Sequence, residues 1–535
     1  MWRRASSPPV PNVADSERVE RDIIVAAKGG GAVFGGRLYV WVLRFVIAFV
    51  LARALGAEGY GLYTLAFTLA TLISAFSVLG LDSAIVRYGA VFAGRSDGPR
   101  LRGTLQVGIA VPVAVAVALS LGLFLLAEAV AVLVLRQPEF TRVAWAVALL
   151  VPLMVINSQL AASLQGLRRI HLAVLAEQIG QPTSRLLLIG LLTLVGLTAE
   201  GALVAAVLAT LVATAILLVQ LRRSLDSAEP VGPAVRQPGQ MMRFSLPVYF
   251  SNVTNAVGGN IQTIMLGTLS SLSAVGVFGI ANHLNLLGSM FHGAVVSSSM
   301  PLFADLHDRA DGVGVRKLYR TTSKWTFALN VPFFVVVLLF APGLLAIFGP
   351  EFEAGTQALV ILAFANLVNA GTGTSGALLD MAGYTMLKLL NSTMAVGLAI
   401  GLNLLLIPAL GVSGAAIAVL GSTATVNLLR VVEVAYLLRV VPYDASFAKP
   451  VAAAMAGAAA GAAVLLVVDA AHPILQLALG APLVLVVYGA VHWMLGLSEE
   501  DQAVLGRVRA KLTRRARSSR ARRARVGTTE GERAR

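Results

Sequence analysis

Two arginines lie inside an apolar stretch long enough to cross a membrane. The stretch "GGRLYVWVLRFVIAFV" (residues 35–50) carries Arg37 and Arg44. Seven residues are nearly two helical turns, so both guanidiniums lie on one face, about 10 Å apart along the helix. An arginine near the bilayer centre costs ~2.5–3.5 kcal/mol on insertion scales. Two interpretations stay open: each arginine reaches its nearer interface, or both face a water-filled interior and hold an anion.

A second group of polar side chains follows one face of a later apolar run. In "AEQIGQPTSR" (176–185), Pro182 interrupts the hydrogen bonds of the helix. The residues of the face recur at i, i+3 and i+7, with an acid beside them: Gln178, Gln181, Arg185 and Glu177. Another acid, Glu128, lies in the third apolar run. Polar side chains inside a membrane usually face a cavity or each other.

Amide side chains form two further stripes in the second half of the chain. They lie in "SNVTNAVGGNIQT" (251–263) and "ANHLNLLGSMFHG" (281–293), and the candidates are Asn252, Asn255, Gln262, Asn282 and Asn285. Such amides could bind the hydroxyls of a sugar, or could hydrogen-bond neighbouring helices. Taken as a set, they favour a polar lumen.

Motifs of catalysis are missing from the sequence. There is no cysteine, no P-loop, no H-E-x-x-H and no G-x-S-x-G, and the six histidines do not cluster at metal-ligand spacing. We therefore predict that the protein is not an enzyme and uses neither a metal nor a cofactor.

The elements that position these residues must be membrane helices. Of the 535 residues 57% are hydrophobic and only 13% are charged, and the mean hydropathy is +0.80. A soluble protein has about 25% charged residues. Apolar runs of membrane length predict an all-α integral membrane protein with about 14 transmembrane helices.

An internal repeat divides these helices into two halves. "LGAEGYGLY" (55–63) resembles "LSSLSAVGVF" (269–278), and "GLTAEGALVAAVL" (196–208) resembles "GVSGAAIAVL" (411–420). The offsets fall between 213 and 215 residues, which predicts two six-helix lobes followed by two C-terminal helices. The predicted parts are an N-terminal arm (1–28), an N-terminal lobe (29–225), a linker (226–243), a C-terminal lobe (244–440), spans 13 and 14 (448–496) and a tail (497–535).

Basic residues predict the orientation. They concentrate in the connections after the even-numbered spans, so the arm, the linker, the tail and both termini are expected in the cytoplasm. Residues 506–535 carry twelve basic and two acidic residues, or +10 of the total +15. A polybasic segment beside a span is expected to bind anionic membrane lipids, and nothing points to nucleic acid.

A family resemblance adds to these predictions. "LARALGAEGYGLYTLAFTLATLISAFSVLGLDSAIVRYGA" (51–90) resembles the N-terminal signature of the polysaccharide-biosynthesis flippases, which export O-units of lipopolysaccharide and other lipid-linked oligosaccharides. These belong to the multidrug/oligosaccharidyl-lipid/polysaccharide exporter superfamily. The likeness covers roughly residues 29–440 and rests on an acidic Gly-Tyr-Gly turn (58–61) and on Leu79 to Asp82 with Arg87.

The resemblance implies a transporter that flips a polyprenyl-pyrophosphate oligosaccharide or polysaccharide precursor across the cytoplasmic membrane by alternating access. Arg37, Arg44 and Arg185 are then the candidates for the phosphates, and the amides for the glycan or the lumen. Lys324 and Lys388 could receive the headgroup first, and Asp82 and Arg87 match the signature as structural or gating residues. If an ion gradient drives transport, Glu128 or Glu177 would have to bind the ion. Other membrane proteins of polysaccharide assembly are further expected partners.

Two alternatives within the superfamily remain. A flippase of peptidoglycan lipid precursors shares the fourteen-helix plan and the arginines of the first span. A drug/ion antiporter fits less well, because span 1 is cationic here, whereas such exporters often bind their ion with an acid in that span.

Overall fold

A computed structural model of the chain describes residues 13–226, 233–309, 311–468 and 473–496, except for the side chains of residues 13–38, 226 and 385. Within these ranges every regular element is a helix. The chain divides into two compact units, Met1–Ala256 and Val257–Arg535. The boundary falls inside one long helix, and the predicted lobe boundaries stay predictions.

The first unit is built from eight helices and the start of a ninth. Two short segments are π-helical, Val130–Val134 and Leu175–Gly180. The helices are α1 (Val13–Val78), α2 (Leu81–Gly94), α3 (Gly98–Leu125), α4 (Ala127–Ala129), α5 (Phe140–Gly166), α6 (Ile170–Val174), α7 (Gln181–Thr193), α8 (Ala199–Asp226) and α9 (Pro238–Leu269), which continues into the second unit.

The second unit continues with seven more helices and two 3₁₀ segments, Pro350–Gly355 and Ala445–Phe447. The helices are α10 (Leu272–Asp308), α11 (Gly312–Ala346), α12 (Thr356–Gly371), α13 (Ser375–Met381), α14 (Thr385–Leu438), α15 (Ala448–Val467) and α16 (Pro473–Met494).

Ten helical segments of the described ranges are long and apolar enough to cross a membrane, so the protein is a multi-pass membrane protein. The prediction of fourteen spans is not confirmed by this count. α1 and α14 each contain two predicted spans, which are separated by a kink at a glycine with positive φ, Gly56 (66°) and Gly411 (55°). The predicted fifth span is divided among α6, a π-helical segment and α7, and α9 is too polar to count.

Matching helix starts support the internal repeat. Asp97 caps α3, where its side chain accepts a hydrogen bond from the amide of Arg100. Asp311 caps α11 in the same way, by accepting from the amide of Gly314. Both caps satisfy an amide that the first turn leaves without a partner. Since 311 − 97 = 214, the structure has the offset that the sequence predicts.

The core of each unit lies between these helices. In the first unit, Ile85, Phe92, Leu101, Leu105 and Ala162 are buried together where α2, α3 and α5 meet. In the second unit, α11 buries Val315 and Tyr319 against residues of α10, α13 and α14. A hydrogen bond joins the same face of α11 to the first residue of α13, since the hydroxyl groups of Tyr319 and Ser375 lie 2.7 Å apart.

Candidate functional site

A polar pocket lies inside the first unit. We call it the first-unit pocket: it has a volume of about 620 Å³ and is lined by residues of α2, α5, α6, the π-helical segment and the start of α7. Its charged and amide side chains are Asp82, Arg87, Asn157, Gln165, Glu177, Gln178 and Gln181. The pocket therefore unites three predicted site residues of span 5 with the two charged residues of the sequence signature.

The start of α2 depends on a left-handed turn. Leu79 and Gly80 have φ values of 53° and 68°, and an ideal Cβ on Gly80 would lie 2.6 Å from the carbonyl oxygen of Ser245. Only glycine fits this approach of α9 without strain. In the first turn of α2, the carboxylate of Asp82 accepts a hydrogen bond from the amide of Ser83 at 2.7 Å. The signature "LGLD" thus places an acid at the wall of the pocket.

Aromatic rings position the arginine of the signature. The guanidinium carbon of Arg87 lies 4.5 Å from the ring centroid of Phe244 on α9 and 5.7 Å from that of Tyr88. Such cation–π contacts are worth roughly 0.5–2 kcal/mol, depending on how well water is excluded. The positive charge is therefore held at the pocket without a carboxylate having to neutralise it.

The opposite wall is a π-helical segment, Leu175–Gly180. It carries Glu177, which is half-buried, and Gln178, which is exposed. Pro182 follows at the start of α7, where its missing N–H removes one hydrogen bond from the helix. Single π-helical turns in α-helices are rare and occur frequently at functional sites.

Amides fix the floor of this pocket against α8. Gln181 donates from Nε2 to the hydroxyl of Thr210 at 2.9 Å. Asn157 donates to the carbonyl oxygen of Thr210 at 3.4 Å and accepts from the hydroxyl of Thr214 at 2.6 Å. Gln181 and Asn157 thus join helices, as well as lining the cavity.

Two of the three predicted phosphate ligands, Arg44 and Arg185, lie outside this pocket. The side chain of Arg37 is outside the described part of the structure, and Arg44 is exposed on α1. Arg185 lies one turn beyond Gln181, where its guanidinium carbon is 4.6 Å from the ring centroid of Phe67 and 5.2 Å from that of Tyr63. Neither Arg44 nor Arg185 is among the residues lining the first-unit pocket.

The remaining predicted residues are spread along three elements. Glu128 is exposed in α4, beyond the end of α3. On α9, Asn252 and Asn255 are exposed while Gln262 is buried. On α10, Asn282 and Asn285 are half-buried, and the backbone carbonyl of Asn285 accepts from Asn366 at 3.5 Å. These six residues line neither the first-unit pocket nor the second polar pocket described next.

A second polar pocket lies inside the second unit. We call it the second-unit pocket: it has a volume of about 210 Å³ and is lined by parts of α10, α12, α13 and α14. Its polar side chains include His292, Asn369, Asp380, Lys388, Asn391, Asn427 and Arg430. The sequence analysis had singled out only Lys388 among these as a headgroup contact.

Hydrogen bonds hold most of these side chains in place. The Nζ of Lys388 lies 2.7 Å from Oδ2 of Asp380, whose Oδ1 is buried and has no hydrogen-bond partner among the described residues. Arg430 donates to Asn427 at 3.3 Å, and Asn427 donates to Asn369 at 2.9 Å. A network of this kind keeps cations and amides aimed into a small cavity.

The two pockets occupy equivalent positions in the repeat. Adding 214 to Asp82, Ala162, Val174 and Glu177 of the first-unit pocket gives Val296, Gly376, Lys388 and Asn391, and all four of these line the second-unit pocket. The same offset relates the caps of α3 and α11. This offset is the signal by which the sequence could have indicated the second-unit pocket.

Comparison with solved structures identifies the fold. The lipid II flippase MurJ in an inward closed conformation matches with a TM-score of 0.69 at 12% identity, over 86% of this chain and 98% of that one. An inward-facing multidrug resistance MATE family transporter of the MOP superfamily matches with a TM-score of 0.64 at 16% identity, over 75% and 94%. The fold is thus that of a multi-pass membrane transporter.

Sequence comparisons assign the chain to a family. The profile of the family described as "Polysaccharide biosynthesis protein" matches residues 26–307, more than half of the chain, so the protein belongs to this family. A probable flippase, AglR of Haloferax volcanii, is 30% identical over 179 residues, which are 32% of this chain. The match spans 37% of the length of that relative.

Proposed function

We propose that the protein flips a lipid-linked oligosaccharide or polysaccharide precursor, carried on a polyprenyl pyrophosphate, across the cytoplasmic membrane by alternating access. The observation that carries this proposal is the pair of repeat-related polar pockets inside units built from membrane helices. Lipid-facing helices do not need buried acids, amides and cations, whereas a path for a hydrophilic headgroup does. Family membership and the flippase relative support the same cargo class.

The pockets differ in the charge they can hold. The first-unit pocket has two acids and one arginine, Asp82, Glu177 and Arg87, which suits a coupling cation better than a phosphate. The second-unit pocket has Lys388 and Arg430 against Asp380. Because guanidinium groups form paired charge-assisted bonds with phosphate oxygens, this pocket suits an anionic part of the cargo. The phosphate role of Arg37, Arg44 and Arg185 stays part of the proposal.

The proposal also covers the orientation of the protein in the membrane, the role of its basic tail and the type of reaction. We expect both termini in the cytoplasm, since the basic connections follow the even-numbered predicted spans. The basic tail lies outside the described residues and is expected to bind anionic lipid. Movement of the cargo breaks and forms no covalent bond, so the protein is expected to act without enzymatic chemistry.

A flipping assay in reconstituted vesicles tests the cargo. A fluorescent polyprenyl-pyrophosphate glycan is protected from an external quencher only after it has crossed the bilayer. We expect the wild-type protein to move it, and Arg37→Ala and Arg44→Ala to slow it at least tenfold. Arg142→Ala removes an exposed arginine at the start of α5 and should leave the rate unchanged.

Other results would change the proposal. Normal flipping by the Arg37 and Arg44 variants would remove these two residues from the cargo path. Flipping of a peptidoglycan lipid precursor in preference to the glycan would favour the first alternative, and ion-driven export of a cationic dye would favour the antiporter. If the folded wild-type protein moves no lipid-linked glycan, the proposal is wrong.

A further inference from the structure

A third pocket, separate from the two polar pockets, lies at the first turns of α11. We call it the basic pocket: it has a volume of about 240 Å³ and is lined by Arg316, Lys317, Arg320, Lys324, Asp444 and Ser446, among others. Four of these side chains are cations and one is an acid. We propose that the basic pocket binds the phosphate of a lipid headgroup at the membrane surface, an inference that rests on the proposed function where the lipid is the polyprenyl-linked cargo and is independent of it where the lipid is a phospholipid.

The cations form a row along one face of the helix. Arg316, Arg320 and Lys324 are spaced by four residues, so they follow one another over two turns, about 12 Å. Burial increases along the row: Arg316 is exposed, Arg320 is half-buried, and Lys324 is only 7% exposed. A ligand that enters from the surface would therefore pass two guanidiniums before it reaches a buried ammonium.

The single acid of the pocket caps a neighbouring 3₁₀ segment. The Oδ1 of Asp444 accepts hydrogen bonds from the backbone amide and the hydroxyl of Ser446, and so caps the 3₁₀ segment Ala445–Phe447. Arg320 donates from Nε to the carbonyl oxygen of Val441 at 3.3 Å, which holds the guanidinium at the pocket without cancelling its charge. With four cations and one acid, the lining has a net formal charge of +3.

The repeat supplies an internal comparison. Subtracting 214 from Arg316, Lys317, Arg320 and Lys324 gives Arg102, Gly103, Gln106 and Ala110 of α3. Three of the four cations thus correspond to residues without charge. α3 and α11 start with the same aspartate cap, so the two helices are equivalent in the repeat. The extra cations are therefore a feature of α11 and not of the repeat.

In the first unit, the equivalent groove is filled by the chain itself. An ideal Cβ on Gly103 would lie 1.9 Å from the carbonyl oxygen of Val235, so this backbone rests directly on the glycine. The amide of Val235 donates to the carbonyl of Pro99 at 2.9 Å, and Arg236 donates to Gln106 at 3.0 Å. In the second unit the segment after α14 lies at the equivalent place, where Val441 accepts from Arg320, and a cavity lined by cations remains beside it. A cavity lined mainly by cations is the arrangement expected of a site for an anion.

The position of the pocket at the end of a membrane span indicates that its anion is the phosphate of a lipid. The row of cations ends at Lys324, where α11 becomes apolar and continues as a membrane span to Ala346. Arginine and lysine at the end of a span meet headgroups at the level of their phosphates. Two sources share this chemistry: an anionic phospholipid of the membrane and the pyrophosphate of a polyprenyl lipid.

Lipid titration of the purified full-length protein tests the site. Native mass spectrometry would count bound dioleoyl phosphatidylglycerol or a C15 isoprenyl pyrophosphate on the wild type and on the triple variant Arg316→Gln, Arg320→Gln, Lys324→Gln. We expect the triple variant to lose at least tenfold in affinity for one or both lipids. The charge-conserving variant Lys324→Arg should keep binding, which separates loss of charge from loss of folding.

A matched control removes the same charge from the first unit. Arg95→Gln, Arg100→Gln and Arg102→Gln neutralise three exposed arginines around the start of α3, and leave the basic tail and the basic pocket intact. The affinity of this variant should change less than twofold. Equal losses in both triple variants, or no binding of either lipid by the wild type, would overturn the inference. Selective loss of phosphatidylglycerol would identify a membrane-lipid site, and selective loss of the pyrophosphate a site for a polyprenyl lipid.

Discussion

The first-unit and second-unit pockets occupy the same position in two copies of one structural repeat, yet their linings differ in charge. Glu177 in the first corresponds to Asn391 in the second, and Val174 corresponds to Lys388. The formal charge of the lining changes from −1, with two acids and one arginine, to +1, with one acid, one lysine and one arginine. The repeat has thus preserved the place of a cavity while its chemistry has diverged.

The backbone beside the two pockets differs as well. In the first unit the chain breaks at Leu79 and Gly80 before α2 carries Asp82 and Arg87 to the pocket. The equivalent residues of the second unit lie within α10, which is continuous from Leu272 to Asp308. A cavity can therefore be built at the same place on a broken or on an unbroken helix, and only the broken one needs a residue without a Cβ.

Substitution at this break should have the largest effect. Gly80→Val forces a β-branched residue into a left-handed conformation and against the carbonyl of Ser245, so we expect a loss of about 3 kcal/mol or more in unfolding free energy. Ala294→Gly, at the equivalent position of α10, should cost about 1 kcal/mol. Thermal unfolding in detergent checks both, and equal losses would contradict the contrast between the units.

Glu177, one of the two acids of the first-unit pocket, should give the second-largest effect. Glu177→Gln preserves the shape of the side chain but cannot bind a cation through its charge, so we expect ion-gradient-driven flipping to fall at least tenfold. Glu128→Gln changes an exposed acid outside the pocket and should leave transport unchanged. Vesicles with imposed proton or sodium gradients provide the measurement. The reverse pattern would assign coupling to Glu128.

A smaller effect is expected from the ion pair of the second-unit pocket. Lys388→Met leaves Asp380 without its cation, and since Oδ1 already lacks a partner, stability should fall by about 1 to 2 kcal/mol. Adding Asp380→Asn to this variant should recover part of the loss. Val174→Met, at the equivalent position of the first unit, should change stability by less than about 0.5 kcal/mol. Denaturation of the wild type and the three variants measures the difference, and a Val174→Met loss as large as that of Lys388→Met would contradict it.

The smallest effect concerns an arginine that lies outside both pockets. Arg185→Gln removes a cation from the rings of Tyr63 and Phe67, so we expect a loss of about 0.5–1 kcal/mol. Arg185→Lys keeps the charge and should lose less. A double-mutant cycle with Phe67→Leu measures the coupling, and a coupling of zero would show that the rings do not stabilise this charge.

The sequence predicted the helical membrane fold, while the roles of the site residues stay predictions. Glu177, Gln178 and Gln181 line a common pocket, because helical periodicity determines which side chains share a face. Periodicity does not say how far the cavity extends along that face. Arg185 therefore lies one turn beyond the pocket lining, against aromatic rings of α1.

Other features depend on contacts between distant segments. Asn252 and Gln262 were predicted to share a face of one helix, but the first is exposed and the second buried, because the packing changes along the 32 residues of α9. The second-unit pocket combines residues from α10 to α14, separated by more than a hundred positions. Fourteen spans were predicted from apolar runs, which do not reveal that some neighbouring runs are separated only by a kink at one glycine.

The π-helical segment Leu175–Gly180 has a geometric consequence for the residues on either side of it. A π turn contains one residue more than the backbone spacing of an α-helix requires. If that turn tightened into an α turn, the register of the helix would advance by one residue, and one flank would rotate by about 100° relative to the other. Such a step would swing the carboxylate of Glu177 away from its present direction while the helix stayed hydrogen-bonded throughout.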